Sequence, residues 1–315
     1  MPKRLAIALE LLAVLGVGVY AAFRFSRLHI YRAIFAGSYT YPLLFKSATW
    51  LIPVAALLGI YFGASLRRAE GAPGARRGQI LRHDEVAFFE HTAHATSTVL
   101  LMVTGTLLGF LFVPRLVTGA QSSGFMLNLH FVGVVVFVFV NFYYHTESWL
   151  GHRLGEHWPE RDDFRNALLH YACILGLKPG PSPEEGKYLA SERLSYVGWV
   201  AGVVGILLTG AVKVSAYVLP LPGALMGPVT FLHDLLSLYM VLMLAAHVFF
   251  SSLVPWSWPL LRSMMTGYVT EDYAKHHHPK WYREVAGRAG EAQAAPEDKR
   301  GALTGGAGLP VGSRG

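Results

Sequence analysis

The 315-residue sequence contains one cysteine, Cys173, and only 15% of its residues are charged. A lone cysteine excludes an internal disulfide and any iron–sulfur cluster held by cysteines of this chain. No C-x-x-C-H occurs, so covalent haem attachment of the c type is excluded too. Any redox centre would have to be held by histidine. The charged share is well below the roughly 25% of soluble domains, whereas 53% of the residues are hydrophobic. The net charge of +7 could suggest nucleic acid, but the positive residues collect in particular loops rather than on one helical face. Such loops are what membrane topology produces, so the expected partner is lipid and not nucleic acid.

Six apolar segments, about 5–23, 47–66, 88–113, 128–145, 195–219 and 230–254, approach the roughly 20 residues that cross a bilayer as a helix. Arg67, Arg68, Arg76, Arg77 and Arg82 precede the third, the stretch from Glu147 through Arg193 contains six Lys/Arg, and eight follow residue 255. Residues 114–127 carry only Arg115, and 220–229 carry no basic residue. The positive-inside rule then makes the three basic stretches cytoplasmic, so the last four segments run out, in, out and in. Lys3 and Arg4 place the N-terminus inside, as an anchor or signal peptide would. The connection carrying Arg24, Arg27, Arg32 and Lys46 falls outside; it is either a loop between two more spans or holds a basic amphipathic stretch. The expectation is an all-α membrane protein. Residues 1–80 form an N-terminal extension with two transmembrane helices, 81–285 a four-helix bundle, and 286–315 a polar, disordered cytoplasmic tail.

Of fourteen histidines, His91, His94, His130, His233 and His247 lie within or at the edges of the last four segments, with His145 at an end. Ionisable groups at that depth are costly and usually functional. His233 and His247 are 14 residues apart. Fourteen helical residues return a side chain to within about 40° of the same face after about 21 Å. That spacing forbids a clustered zinc site. It suits two stacked haems, each taking one axial histidine from each of two helices. Matching depths pairs His130 with His233 toward the outside, and His91 or His94 with His247 toward the cytoplasm; His145 could compete for the inner position. The rival reading is a haem-free anchor or transporter whose histidines hydrogen-bond or move protons.

Other features carry two readings each. Gly105-x-x-x-Gly109 and Gly198-x-x-x-Gly202 serve helix packing or clearance for a porphyrin face. Lys213 either snorkels to water or meets a haem propionate. The run His276–His278, followed by Pro279, reads as surface contact rather than a metal site.

The string G-Y-V-T-E-D-Y-A-K-H-H-H-P-K-W-Y-R-E from Gly267, the E-E-G-K-Y from Glu184 and the H-x13-H of His233 and His247 together resemble a known family. It is the cytochrome b (gamma) subunit of membrane-bound formate dehydrogenases, grouped with the cytochrome b subunits of nickel–iron hydrogenases and thiosulfate reductases. The resemblance spans roughly 82–285. A histidine 14 residues before the glycine of the third segment's Thr104-Gly105 selects His91 over His94, and His130 matches the remaining ligand.

The resemblance implies two haem b groups with His91, His130, His233 and His247 as axial ligands. It also implies an iron–sulfur beta subunit, a molybdenum- or tungsten-containing catalytic alpha subunit, and menaquinone or ubiquinone as acceptor. This chain then has no catalytic site for formate; it is the quinone-reducing, electron-transferring subunit in a bacterial inner membrane, multi-pass, with its C-terminus cytoplasmic. The family's quinone string K-Y-N-x-x-Q stands here as Lys187-Tyr188-Leu189-Ala190-Ser191-Glu192. Lys187, Tyr188 and Glu192 mark the quinone region, with Glu192 either relaying a proton or pairing with Lys187 or Arg193. The alternative within redox chemistry is the cytochrome b of a hydrogenase or another molybdenum enzyme.

Overall fold

The computed structural model describes residues 2–26, 43–66, 75–76, 78–180 and 182–294. Most of the basic connection between the first two apolar segments, together with Arg67, Arg68 and Arg77 and the tail beyond Ala294, lies outside the described residues. The described chain is overwhelmingly helical and divides into two compact units, one of residues 1–63, 85–146 and 198–257, the other of 64–84, 147–197 and 258–315.

The first unit is built from α1 (Pro2–Ser26), α2 (Leu44–Ser47), α3 (Leu51–Ser65) and α4 (Glu85–Leu108). It also takes most of α5 (Ala120–Leu150) and α8 (Ala190–Ser215), and α9 (Gly223–Val248) with the π-helical turn Phe249–Leu253 that continues it. Among the described residues, four helical stretches are long and apolar enough to cross a membrane: Lys3–Phe25, Ala120–Leu150, Ala190–Ser215 and Gly223–Leu253. Six were expected. α3 has 15 residues, about 22 Å, against a hydrocarbon core of about 30 Å. α4 has the length, with 24 residues, but polar residues dilute its hydropathy. Those hydroxyls are satisfied within the helix: Thr96 donates to Thr92 O, Ser97 to Ala93 O and Thr104 to Leu100 O. Internal satisfaction is what an apolar surrounding demands of them.

Contacts give the helix directions. Lys3 Nζ lies 3.5 Å from Glu85 Oε2 and the Arg4 guanidinium sits over Phe88, so α1 and α4 start side by side. At its other end α1 sets Phe23 against Phe125, near the start of α5, which runs oppositely. α3 follows α5, with Gly59 so close that a Cβ there would stand 2.5 Å from Phe139 O. α8 and α9 are antiparallel: Gly198 faces Tyr239 and Met243, Gly202 faces Met240, and Gly205 faces Leu236. The Gly198-x-x-x-Gly202 pattern therefore serves helix packing. Gly109 departs from expectation. It lies just past the end of α4 at φ +85°, where a Cβ would meet the Arg115 backbone at 2.8 Å, so it is a helix-stop glycine rather than part of a helical face.

The second unit corrects the picture of loops and tail. It contains α6 (Leu154–His157), α7 (Asp163–Ile174), α10 (Trp258–Thr266), α11 (Glu271–His277) and α12 (Pro279–Ala294). A small antiparallel sheet orders β1 (Ala75–Arg76), β2 (Gln79–Leu81) and β3 (Tyr268–Thr270) as β1-β2-β3. Ile80 stands opposite Val269, and both enter a cluster with Ala274, Trp281 and Val285. α12 runs eight residues past 286, into the stretch expected as disordered. His278 is not a surface residue but fully buried, its Nδ1 2.7 Å from Gly186 O. Burial and the Arg82 charge push its pKa down to about 3. The resemblance-bearing strings at 184–188 and 267–284 thus touch within the second unit: Lys280 N–H donates to Glu185 O, and on the surface Arg283 pairs with Glu184 at 2.6 Å.

Candidate haem-binding histidines

His130 lies ten residues after the first residue of α5, and His233 ten after the first of α9. The two rings are within electrostatic reach of each other, and Lys213 on α8 is within reach of both. His130 Nδ1 is 2.8 Å from Thr104 Oγ1 on α4; His233 Nδ1 is 2.9 Å from Thr209 Oγ1 on α8. Each threonine hydroxyl also lies 2.8 Å from the carbonyl four residues back, Leu100 O or Gly205 O. A carbonyl only accepts, so it takes the single hydroxyl proton, and the imidazole Nδ1–H must donate to Oγ1. Both rings are thereby held as the tautomer whose Nε2 carries the lone pair that ligates a metal. Phe45 of α2 adds an aromatic wall, 6.4 Å from His130 and 5.7 Å from Tyr217.

The second pair is formed by His91, six residues into α4, and His247, at the end of α9 and just before the π-helical turn. Their ring centres are 6.3 Å apart. Half of that, about 3 Å, is the reach from a ring centre to a metal bound about 2 Å from an imidazole nitrogen. Trp199 presents its edge to His247 at 6.3 Å. His94 and His145 turn elsewhere. His94 bonds Glu90 O at 2.9 Å and packs on Phe137 and Tyr144, and His145 bonds Asn141 O at 2.8 Å. The four histidines of the sequence pattern therefore occupy two paired positions, and His91, not His94, faces His247. Among the described residues no group of three or more His, Cys, Asp or Glu could hold a metal ion. Two-imidazole sites of this kind fit a haem iron, whose porphyrin supplies the other four donors.

Lys213 does not stand free: its Nζ is 3.9 Å from Asp234 Oδ1, beside His233 in sequence. In the second unit, Lys187 pairs with Glu156 at 2.9 Å, and the Tyr188 ring lies 4.3 Å from that of His157. Burial alone would lift the Glu156 carboxyl; the Lys187 ammonium overrides it and holds the group below its ordinary range. Glu192 pairs with neither Lys187 nor Arg193. It accepts the Leu189 N–H at 2.8 Å, capping the start of α8, and lies 3.8 Å from the buried Arg82 guanidinium. Arg193 instead binds Asp163 through two nitrogens at 2.7 and 2.5 Å.

Sequence reasoning did not single out Thr209, and used Thr104 only as part of a Thr-Gly marker. Thr-Gly occurs five times, and only spacing sets two of them apart: those at 104–105 and 209–210 stand 26 and 24 residues before His130 and His233. Phe45 had no local signal at all.

Among known proteins, the sequence profile of prokaryotic cytochrome b561 matches residues 82–267. The formate dehydrogenase cytochrome b556(fdo) subunit of Escherichia coli K12 is 26% identical over 223 residues, 67% of this chain and 95% of that protein. The nitrate-inducible formate dehydrogenase cytochrome b556(Fdn) subunit of the same strain is 24% identical over 189 residues, 58% of this chain and 78% of the relative. The formate dehydrogenase cytochrome b556 subunit of Haemophilus influenzae is 24% identical over 210 residues, covering 65% and 83%.

Proposed function

The chain belongs to the prokaryotic cytochrome b561 family, and from that premise we propose that it is the haem-bearing membrane subunit of a formate dehydrogenase-type complex, passing electrons from an iron–sulfur subunit to the quinone pool. His130 and His233 hold one haem b, and His91 and His247 hold a second. Each haem, when bound, supplies a one-electron couple at its iron. The observation that carries this reading is the pairing itself: two histidines 14 residues apart on α9, each met by a histidine from a different helix.

The residues of this chain do the positioning. α9 sets its two ligands about 21 Å apart along one helix, about two thirds of the roughly 30 Å membrane core. Thr104 and Thr209 fix the tautomer of one pair, and the Lys213–Asp234 pair sets the charge beside it. With the basic stretches cytoplasmic, the His130–His233 pair lies toward the outside and the His91–His247 pair toward the cytoplasm. Electrons entering outside then cross the bilayer as charge, worth about 2.3 kcal/mol per 100 mV. The Lys187–Glu192 segment is the quinone end, where Glu192 holds or passes a proton. The catalytic molybdenum- or tungsten-containing subunit and the iron–sulfur subunit bind from outside, and the chain sits in a bacterial inner membrane with its C-terminus cytoplasmic. Pyridine haemochrome analysis of the purified chain should give about two haem b per polypeptide; a value near zero would leave only the anchor or transporter reading.

A further inference from the structure

The two hydroxyls that meet His130 and His233 are a matched set, and they divide the four histidines into two kinds. Each comes from the helix preceding the ligand's own: Thr104 on α4 before His130 on α5, and Thr209 on α8 before His233 on α9. Each is buried and followed by a glycine lying against the ring: a Cβ at Gly105 would stand 3.9 Å from His130 Cε1, and one at Gly210 would stand 3.5 Å from His233 Cε1, both ordinary contacts. Each hydroxyl spends its proton on its own helix, so its oxygen is left to accept from the imidazole. The His91–His247 pair shows another environment, ring against ring with Trp199 at the edge of His247.

We propose that Thr104 and Thr209 are positioning residues that set the redox potential of the His130–His233 haem separately from that of the other. This rests on the haem assignment above. Accepting the Nδ1–H proton makes an imidazole a stronger electron donor through Nε2 and favours the ferric over the ferrous ion. The two threonines therefore hold the potential of this haem down, with each helical hairpin contributing one ligand and one acceptor.

The test is redox titration, followed in the visible spectrum, of the full chain carrying Thr104→Val, Thr209→Val or the corresponding Ser substitutions. The Ser variants, which keep the hydroxyl at lower volume, guard against a general loss of structure. In each Val variant the ferrous-to-ferric ratio of one haem should rise about tenfold at a given potential, an upward shift of about 59 mV for one electron. The other haem should stay in place, and Ser should restore the original value. Loss of that one haem in the Val variants, with retention in the Ser variants, would also support the proposal, since ligand orientation would then depend on the hydroxyl. Unchanged potentials in both Val variants at full haem content would overturn it. So would equal disturbance by Val and Ser, which would make the threonines simple packing. A wild-type chain without haem would instead defeat the assignment on which the proposal rests.

Discussion

Lowering the pH from 6.5 should loosen the second unit through one buried ring, His278. The ring is fully buried, and burial together with the Arg82 charge moves its pKa from 6.5 to about 3. Its Nδ1–H donates to Gly186 O, which works the other way but does not offset burial. The unfolded segment therefore binds a proton near pH 6.5 that the folded one refuses until about pH 3. The sign follows: His278 adds no penalty above pH 6.5, and stability is lost progressively as the pH falls toward the folded value. At 1.36 kcal/mol per unit, the full span costs about 5 kcal/mol, and about 2 kcal/mol is already gone at pH 5. His170 and His277, also lowered mainly by burial, push in the same direction, so the comparison needs a control variant. His278→Gln keeps a donor for Gly186 O and removes the titration. Hydrogen exchange of residues 267–285 in the solubilised full chain, corrected for intrinsic rates, reads the opening free energy between pH 7 and 5. The wild type should lose about 2 kcal/mol more than the variant over this range. Equal slopes in the two proteins would refute the reasoning.

Gly59→Ala should destabilise the packing of α3 on α5 by about 1–3 kcal/mol, because the rigid carbonyl of Phe139 stands 2.5 Å from the new Cβ; thermal unfolding in detergent measures it, and an unchanged midpoint would contradict the close approach. Glu192→Gln keeps an acceptor for the Leu189 N–H and so preserves the start of α8, but cannot carry a proton. It should slow quinol formation while both haems remain reducible by formate in the assembled complex. Normal turnover would remove Glu192 from the quinone reaction.

The histidine pattern was readable because it depends on helix periodicity and depth alone. Fourteen residues on one apolar helix define two levels, and charge in the loops gives an expected side of entry for each helix. The choice between His91 and His94 was not readable from depth, since they are one turn apart; it depends on which face of α4 meets α9, where His91 lies 6.3 Å from His247 and His94 packs on Phe137 instead. The charged stretches 147–193 and 255–294 looked like loops because their polar residues are frequent. They fold because those residues pair: Arg193 with Asp163, Glu147 with Arg153, and the ring of His278 with Gly186 O. The first and last of these join residues 30 and 92 positions apart and leave no periodic trace. α4 was read correctly as a helix, but its hydroxyls, satisfied on their own backbone, lower its hydropathy below that of the other long helices. Phe45 lies in a segment with no helical or motif signal strong enough to place it beside His130, and only tertiary packing does so.

The central claim is that four histidines act as two pairs, and redox titration of the single alanine variants tests it most directly. His130→Ala and His233→Ala should each remove the same spectral and potentiometric component, and His91→Ala and His247→Ala should each remove the other, leaving about one haem in every case. Loss of the same component from His130→Ala and His247→Ala, or loss of a haem from His94→Ala with none from His91→Ala, would contradict the pairing.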